Sequence, residues 1–394
     1  MAQENPALLE RYRRLDGRIT LTGIQAIVRL PLDQNRRDRE AGLRIGTYFS
    51  GYQGSPLGGI DRQVRLAGPL MREHDIRFEL GINEDLAATA IFGTQLLDVL
   101  PHKNYDGVLG IWYGKSPGLD RSGDILRHAQ YLGTSRHGAS LILAGDDPAI
   151  KSSSLPSDST IALYDWFYPV FYPGNSTEVL EYGLHAVAMS RYAGLWTALK
   201  IVTNVADGGG TVEVYPGQAA AVIPELEIDG EPFRKRQDTR MMPPFNLEVE
   251  RLIHYERLVA AKAYIRANGL NRITTRGEND RVGIISMGKT YYDLRLALEI
   301  LGLDEEGLKK AGIRTYKLGV TSPIEPEGLK EFAEGLDEIV VVEEKRPFLE
   351  MQICHELYNA PSHPRVYGKT GPLGEPLFQK NNELQPEIIA GRLA

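Results

Sequence analysis

Ile76-Arg77-Phe78-Glu79-Leu80-Gly81-Ile82-Asn83-Glu84-Asp85-Leu86-Ala87-Ala88-Thr89-Ala90 changes its hydrophobic period in mid-stretch. Residues 76–81 alternate apolar and polar side chains, the pattern of a half-buried strand. From Asn83, a good N-cap, Leu86, Ala90, Gly93 and Leu97 follow at helical spacing. Glu84 therefore stands at a strand-to-helix junction, where parallel α/β folds hold their ligands. The helix dipole there favours an ionised carboxylate. Complementing that dipole is the commonest use of an acid in a first turn; binding a ligand is the other.

Four further stretches bear on the choice. Thr47–Gly59 carries a short strand into a turn with Gly51, Gly54, Gly58, Gly59, Ser55 and Pro56. Glycines let a backbone approach a ligand closely, although an ordinary βα loop has the same composition. The glycines do not form a dinucleotide-binding Gly-x-Gly-x-x-Gly. After the apolar run Val108–Ile111, Lys115 and Arg121 fall in a glycine-rich loop at a strand end, where cations suit an anionic substrate. The strand Leu141–Ala144 ends in Asp146-Asp147-Pro148 and a serine-rich loop from Lys151 to Ser159. Without a third ligand at metal-binding spacing, capping and turn chemistry explain the aspartates better than a cation does. Thr197–Val202 reads as a core strand. These strands, separated by helical stretches, make a parallel α/β domain.

The order Gly51-Tyr52-Gln53-Gly54-Ser55-Pro56, then Glu84 opening its helix, then Lys115-x-x-Gly118-Leu119, then Asp146-Asp147-Pro148 with its serine loop, resembles the 2-oxoacid:ferredoxin oxidoreductases. Within them the chain most resembles the indolepyruvate ferredoxin oxidoreductases, from about Gly46 to Val214 and again from about Val282 to Glu350. The resemblance implies a thiamine diphosphate enzyme whose first domain binds the pyrimidine ring. Such enzymes decarboxylate 2-oxo acids oxidatively, here an aryl pyruvate, to an acyl-CoA and pass the electrons to ferredoxin; the thiazolium serves as electron sink. By resemblance Glu84 is the carboxylate on the pyrimidine, which lets the cofactor's own nitrogen act as base, a contribution worth roughly 10²–10⁴ in rate. Gly51, Tyr52 and Gly54 would form the cofactor wall. Ser55 and Pro56 would lie beside the substrate carbonyl, and Lys115 near its anionic end.

The departures define what is missing. Gly-Asp-Gly, the family's diphosphate and Mg²⁺ signature, is absent from the sequence, so no metal ligand is assigned to this chain. Its single cysteine, Cys354, can hold neither an iron–sulfur cluster, which needs about four thiolates, nor an internal disulfide. Cys354 is expected to be a small buried residue. The chain thus looks like the N-terminal portion or one subunit of a larger assembly, carrying half a cofactor site. The diphosphate-binding domain and the clusters would lie elsewhere in that assembly; by resemblance such sites form between domains, and a homo-oligomer is expected.

Length and composition (394 residues, 42% hydrophobic, 25% charged) suit a globular protein of two domains. A net charge of −7 argues against nucleic acid as partner. No apolar run reaches membrane length, and Met1–Pro6 has no signal-peptide pattern, so a cytoplasmic protein is expected. Residues 1–40 read as a charged N-terminal extension, with Pro31–Glu40 an exposed loop. Residues 41–235 form the pyrimidine domain. Residues 236–280 are a connector with one helix, capped by Asn246 and ending at Asn268-Gly269. Residues 281–375 form a smaller parallel α/β domain of the transketolase C-terminal type, with strands near 282–288, 314–320 and 338–344 and helices at 292–301 and 328–336. Residues 376–394 are a tail.

Gly283–Thr290 formally satisfies the P-loop pattern Gly-x₄-Gly-Lys-Thr. Its middle residues, Ile284 to Met287, read as a strand rather than as a loop baring N–H groups to phosphate. A P-loop nucleotide-binding protein is therefore the minor alternative, beside a non-catalytic scaffold that would not need Glu84. Tyr52, Trp112, Tyr113, Trp166, Phe167 and Tyr168 are candidates for an aromatic pocket, with core packing the competing role.

Overall fold

The computed structural model describes residues 6–361 and 363–394. A short antiparallel pair, β1 (Gly17–Thr22) with β8 (Gly209–Val214), flanks a larger sheet. That sheet contains β2 (Ile45–Gly51), β3 (Ile76–Leu80), β4 (Gly107–Lys115), β5 (Ala139–Asp146), β6 (Val170–Phe171) and β7 (Thr197–Val202). They lie in the order β6-β7-β5-β4-β2-β3 and all run parallel. β5 is buried along its whole length, which is why Leu141–Ala144 is a continuous apolar run rather than an alternating one. Helices Glu84–Thr94 and Gly123–Leu132 cover one face, packing Ala87, Ala88, Ile91 and Leu126 around Trp112. Helices Gly23–Glu40 and Ser176–Ala193 cover the other.

Pro31–Glu40 is not an exposed loop. It is the second half of the helix Gly23–Glu40, which Thr22 and Gln25 start with a reciprocal capping box. Pro31 costs an interior helix about 3 kcal/mol. Burial of Ile27, Val28, Leu30 and Leu32, roughly 1.5–3 kcal/mol each, exceeds that. Most of the charges are not solvated either, only Arg39 and Glu40 being exposed: Arg29 pairs with Asp33 at 2.8 Å, and buried Asp38 receives Arg191 at 2.6 Å.

A small hairpin, β9 (Glu227–Ile228) with β10 (Glu231–Pro232), precedes the connector. The connector helix runs Phe245–Leu252, then a π-helical turn Ile253–Arg257, then Leu258–Ala267. Its N-cap position is Pro244, not Asn246, and no side chain caps it.

The second sheet contains β11 (Asn271–Thr275), β12 (Val282–Met287), β13 (Ile313–Leu318), β15 (Glu338–Val342) and β16 (Arg365–Tyr367), in the order β11-β13-β12-β15-β16. All are parallel except the edge strand β11, which lies inside the stretch expected as connector. The helix after β12 starts at Gly288, four residues before the expected Tyr292. The expected tail ends in a helix, Pro386–Leu393, and Phe378, Leu384, Ile389 and Ala390 are buried with Leu294 and Leu298. Cys354 is exposed on the helix Phe348–Leu357, contrary to the buried position expected. The two sheets are stitched together: after β13 and Gly319 the chain enters β14 (Val320–Ser322), which pairs with β6 and becomes the antiparallel edge of the first sheet.

Candidate cofactor site

β2 lies between β3 and β4, so the three strands bring Gly51, Leu80 and Tyr113 into one row at their C-terminal ends. Gly81 closes the row by donating its N–H to Gly51 O at 2.8 Å. No side chain fits there: a Cβ on Gly81 would stand 2.7 Å from Asn83 O and 2.8 Å from the Ala87 Cβ. The next helix then starts as its sequence dictates, Asn83 Oδ1 accepting the Leu86 N–H at 2.8 Å. Trp112, fully buried on β4, donates its indole N–H to Glu84 O at 3.0 Å and so fixes the helix start over the sheet.

Glu84 is 8% exposed. Its side chain lies on the backbone of Gly118, where a Cβ would come within 2.5 Å of Glu84 Cγ and 2.6 Å of Oε1. No described residue donates a hydrogen bond to this carboxylate. A buried acid with free acceptor capacity, held at a helix start, is suited to a ligand N–H donor.

Lys115 ends β4 and is half-buried; its aliphatic stem lies along Gly54, where a Cβ would stand 3.0 Å from Lys115 Cδ. The segment after it is not a loop but a short helix, Ser116–Arg121, and Arg121 is exposed. Ser55 shares a hydroxyl–hydroxyl hydrogen bond with Ser152, and Ser153 Oγ reaches Ser55 O at 3.4 Å. The serine-rich loop thus braces the Gly54–Pro56 turn, while Leu57 packs against Gly145.

Asp147 organises that loop by accepting the N–H groups of Lys151, Ser152 and Ser153 at 3.0, 2.7 and 2.9 Å. Burial pushes its carboxyl up, but these main-chain donors outweigh burial and hold it below the ordinary carboxylate range. Asp146 accepts the Ser159 N–H and hydroxyl at 2.9 and 2.6 Å; burial raises its carboxyl, against the nearby Lys200. Both aspartates therefore do the turn chemistry expected of them. Among the described residues no cluster of three His, Cys, Asp or Glu could hold a metal.

The helical stripe beyond Glu84 turns outward. Leu86, Ala90 and Gly93 are exposed, with Ile82, Leu80 and Tyr52 beside them, and of the stripe only Leu97 is buried. The aromatic candidates do not assemble into one pocket. Trp112, Tyr113, Trp166 and Tyr168 are core, Tyr52 is exposed, and Phe167 lies by β6.

Gly283–Met287 is strand β12 and pairs on both sides, with β13 and β15, so its N–H groups are committed to the sheet. Lys289 donates to Leu384 O at 2.8 Å and pairs with Asp293 at 2.7 Å. The P-loop match is a strand and a buried ion pair. Gly118 and Asp147 are the functional candidates that motif reading underrated: both were in quoted motifs, but their roles depend on contacts across the fold.

Indolepyruvate oxidoreductase subunit IorA of Methanothermobacter thermautotrophicus is 25% identical over 376 residues, which is 95% of this chain and 54% of that protein. The subunit of the same name from Archaeoglobus fulgidus is 25% identical over 358 residues, 89% of this chain and 50% of its own length. This chain is similar to indolepyruvate oxidoreductase subunits over nearly its whole length. It spans about half the length of the curated relatives it matches. A family model described as Indolepyruvate oxidoreductase domain matches residues 272–394, a stretch that takes in most of β11 and the C-terminal helix. Among solved structures, a 2-oxoglutarate:ferredoxin oxidoreductase from Magnetococcus marinus with 2-oxoglutarate, coenzyme A and succinyl-CoA bound matches with TM-score 0.64 and 15% identity. That match covers 96% of this chain and 65% of the other. A split-gene transketolase, an inactive β4 tetramer, matches with TM-score 0.54 and 14% identity over 95% of this chain and 97% of its own. These two likenesses show the fold: a parallel α/β unit followed by a second α/β unit. Among the described residues no helix is long and apolar enough to cross a membrane.

Proposed function

We propose that this chain is the pyrimidine-binding part of a thiamine diphosphate-dependent oxidoreductase acting on 2-oxo acids, with aryl pyruvates such as indolepyruvate as substrates. The observation that carries this reading is Glu84: a buried carboxylate at a strand-to-helix junction, seated on Gly118, without a protein donor. When bound, thiamine diphosphate supplies the electron sink for decarboxylation. Glu84 accepts a hydrogen bond from the aminopyrimidine ring and holds a proton at its ring nitrogen. Gly51, Tyr52 and Gly54 form the wall along the ring, and the two glycines let the backbone approach it. Lys115 presents a cation to the 2-oxo acid's carboxylate, and the Ser55–Pro56 turn, braced by Ser152 and Ser153, borders its carbonyl.

In this reading the chain supplies the pyrimidine side of the site, and its sequence contains no Gly-Asp-Gly for the diphosphate. A further domain or subunit would bring the diphosphate and Mg²⁺ site, coenzyme A and ferredoxin would meet the assembly there, and iron–sulfur clusters would lie outside this chain. In this reading residues 41–235 are the pyrimidine domain, residues 281–375 the core of a transketolase C-terminal-like domain, and the assembly is a cytoplasmic homo-oligomer of the combined unit. The 394 residues alone would be inactive. The test is Glu84→Gln in the complete assembly. Turnover should fall by about 10²–10⁴ while the fold is kept. A variant retaining most of its 2-oxo acid oxidation would refute the assignment.

A further inference from the structure

A cavity of about 670 Å³ lies away from Glu84. It lies where three helices from different parts of the chain converge: Thr160–Asp165 beside the first sheet, Leu258–Ala267 of the connector, and Phe348–Leu357 of the second unit. The loop Ser322–Ile324 after β14 closes one side. β14 and β3 are opposite edges of the seven-stranded sheet. Glu84 is held over β4, four inter-strand spacings of about 4.8 Å from β14, so the cavity and Glu84 are roughly 20 Å apart.

The cavity volume is that of a small-molecule site, and a junction between units is a common place for one. Three independent features point the same way. The first is the lining. Two T-shaped aromatic pairs in direct contact stand in its wall, Tyr164 with Phe348 at 5.6 Å and Phe167 with His254 at 4.8 Å, and Leu258, Val259, Ile324 and Met351 add aliphatic surface. The second is backbone. Phe167 has φ +65°, a left-handed conformation that non-glycine residues seldom adopt and that clusters at ligand-binding positions. The third is the π-helical turn Ile253–Arg257, a form concentrated at functional sites, which carries His254 into the lining.

Charge selects among apolar ligands. Two carboxylates line the cavity, Asp165 and Glu356, and Asp165 is engaged by Arg127. Lys262 is half-buried in the lining, and no described carboxylate lies within ion-pair distance of it. We propose that this junction cavity is a second binding site, separate from the Glu84 site, for a planar aromatic small molecule bearing a carboxylate, with the rings between the Tyr164/Phe348 and Phe167/His254 edges and the carboxylate on Lys262. Because its walls come from both units and the connector, such a ligand would hold them in one arrangement.

The test is calorimetric titration of the 394-residue chain with 2-naphthoate, and with uncharged 2-naphthalenemethanol as a matched probe. Saturable 2-naphthoate binding is expected. Lys262→Met should weaken 2-naphthoate about tenfold and leave the alcohol unchanged, as the loss of one charge-assisted contact requires. Val259→Trp, at a position 39% exposed on the rim, should abolish both without disturbing the fold. Glu84→Gln should affect neither, so this test is independent of the thiamine reading. Absence of saturable binding, binding that Val259→Trp leaves intact, or a Lys262→Met effect equal for the two probes would each overturn the proposal.

Discussion

Gly118→Ala tests the seat of Glu84 more sharply than removing Glu84 does, because activity should fall while stability stays near that of the parent. Gly118 lies in the helix Ser116–Arg121 and is not among the residues with positive φ, so alanine fits its backbone. On propensity alone the change stabilises by about 0.5–1 kcal/mol. The added methyl, however, would stand 2.5 Å from Glu84 Cγ and 2.6 Å from Oε1. Ordinary contact needs about 3.5 Å, so the carboxylate must move by about 1 Å. A flexible side chain yields to that at small cost, and the two terms leave stability within about 1 kcal/mol of the parent. A 1 Å misplacement of a group that orients a reacting cofactor costs about 10²-fold in turnover. The assay is kcat for 2-oxo acid oxidation in the complete assembly, with urea midpoints for stability, in the parent and in Glu84→Gln. If the methyl acts through the carboxylate, Gly118→Ala should add little to Glu84→Gln. Near-parental turnover in Gly118→Ala, or an equal loss in both backgrounds, would refute the reasoning.

Other consequences are measurable on the chain itself. ATP should not bind at Gly283–Thr290, and Lys289→Ala should instead destabilise the fold by about 3–5 kcal/mol, because Asp293 is left buried without its cation; micromolar ATP binding lost in that variant would show the strand assignment to be wrong. Thiamine diphosphate titrated into the 394 residues, with and without Mg²⁺, should not bind tightly, and tight Mg²⁺-dependent binding would reveal a diphosphate site here. His185 is buried against the Tyr264 hydroxyl at 3.0 Å, and burial, aided by the Arg37 charge, lowers its pKa from 6.5 to about 4. The unfolded chain then takes up the proton first, so this stabilisation is complete above pH 6.5 and is lost as pH falls towards 4, up to about 3 kcal/mol. His185→Gln should flatten the acid limb of the stability curve by that amount; an unchanged slope between pH 6.5 and 4 would exclude His185 as its source.

What the sequence discloses depends on how local its cause is. The parallel strands are legible because burial on both faces leaves continuous apolar runs such as Leu141–Ala144, and the turn at Glu84 because Asn83 caps within three residues. Gly23–Glu40 is misread because its charges resemble a solvated run until Arg191, far along the chain, is found on Asp38. β11 is polar and lies at an edge, so Asn271–Thr275 carries no strand-like alternation. Residues 376–394 look like a tail because their few apolar residues matter only against Leu294 and Leu298. Lys115-x-x-Gly118 is visible as a motif, yet nothing nearby in sequence says that Gly118 is glycine on account of Glu84.

The crossing at Gly319 has a practical meaning for anyone cutting this protein into pieces. Its N–H donates to Leu270 O at 3.0 Å, and Asn271 Nδ2 donates to Val320 O at 3.0 Å, so the passage between sheets is itself bonded in place. A fragment ending near residue 280 would lack Val320–Ser322 and bare the β6 edge, an open template for pairing with other chains. The complementary fragment would carry that strand without a sheet to receive it. Separately expressed halves should therefore aggregate or recombine with each other, and amide exchange at β6 should report the opening of both units as a single event.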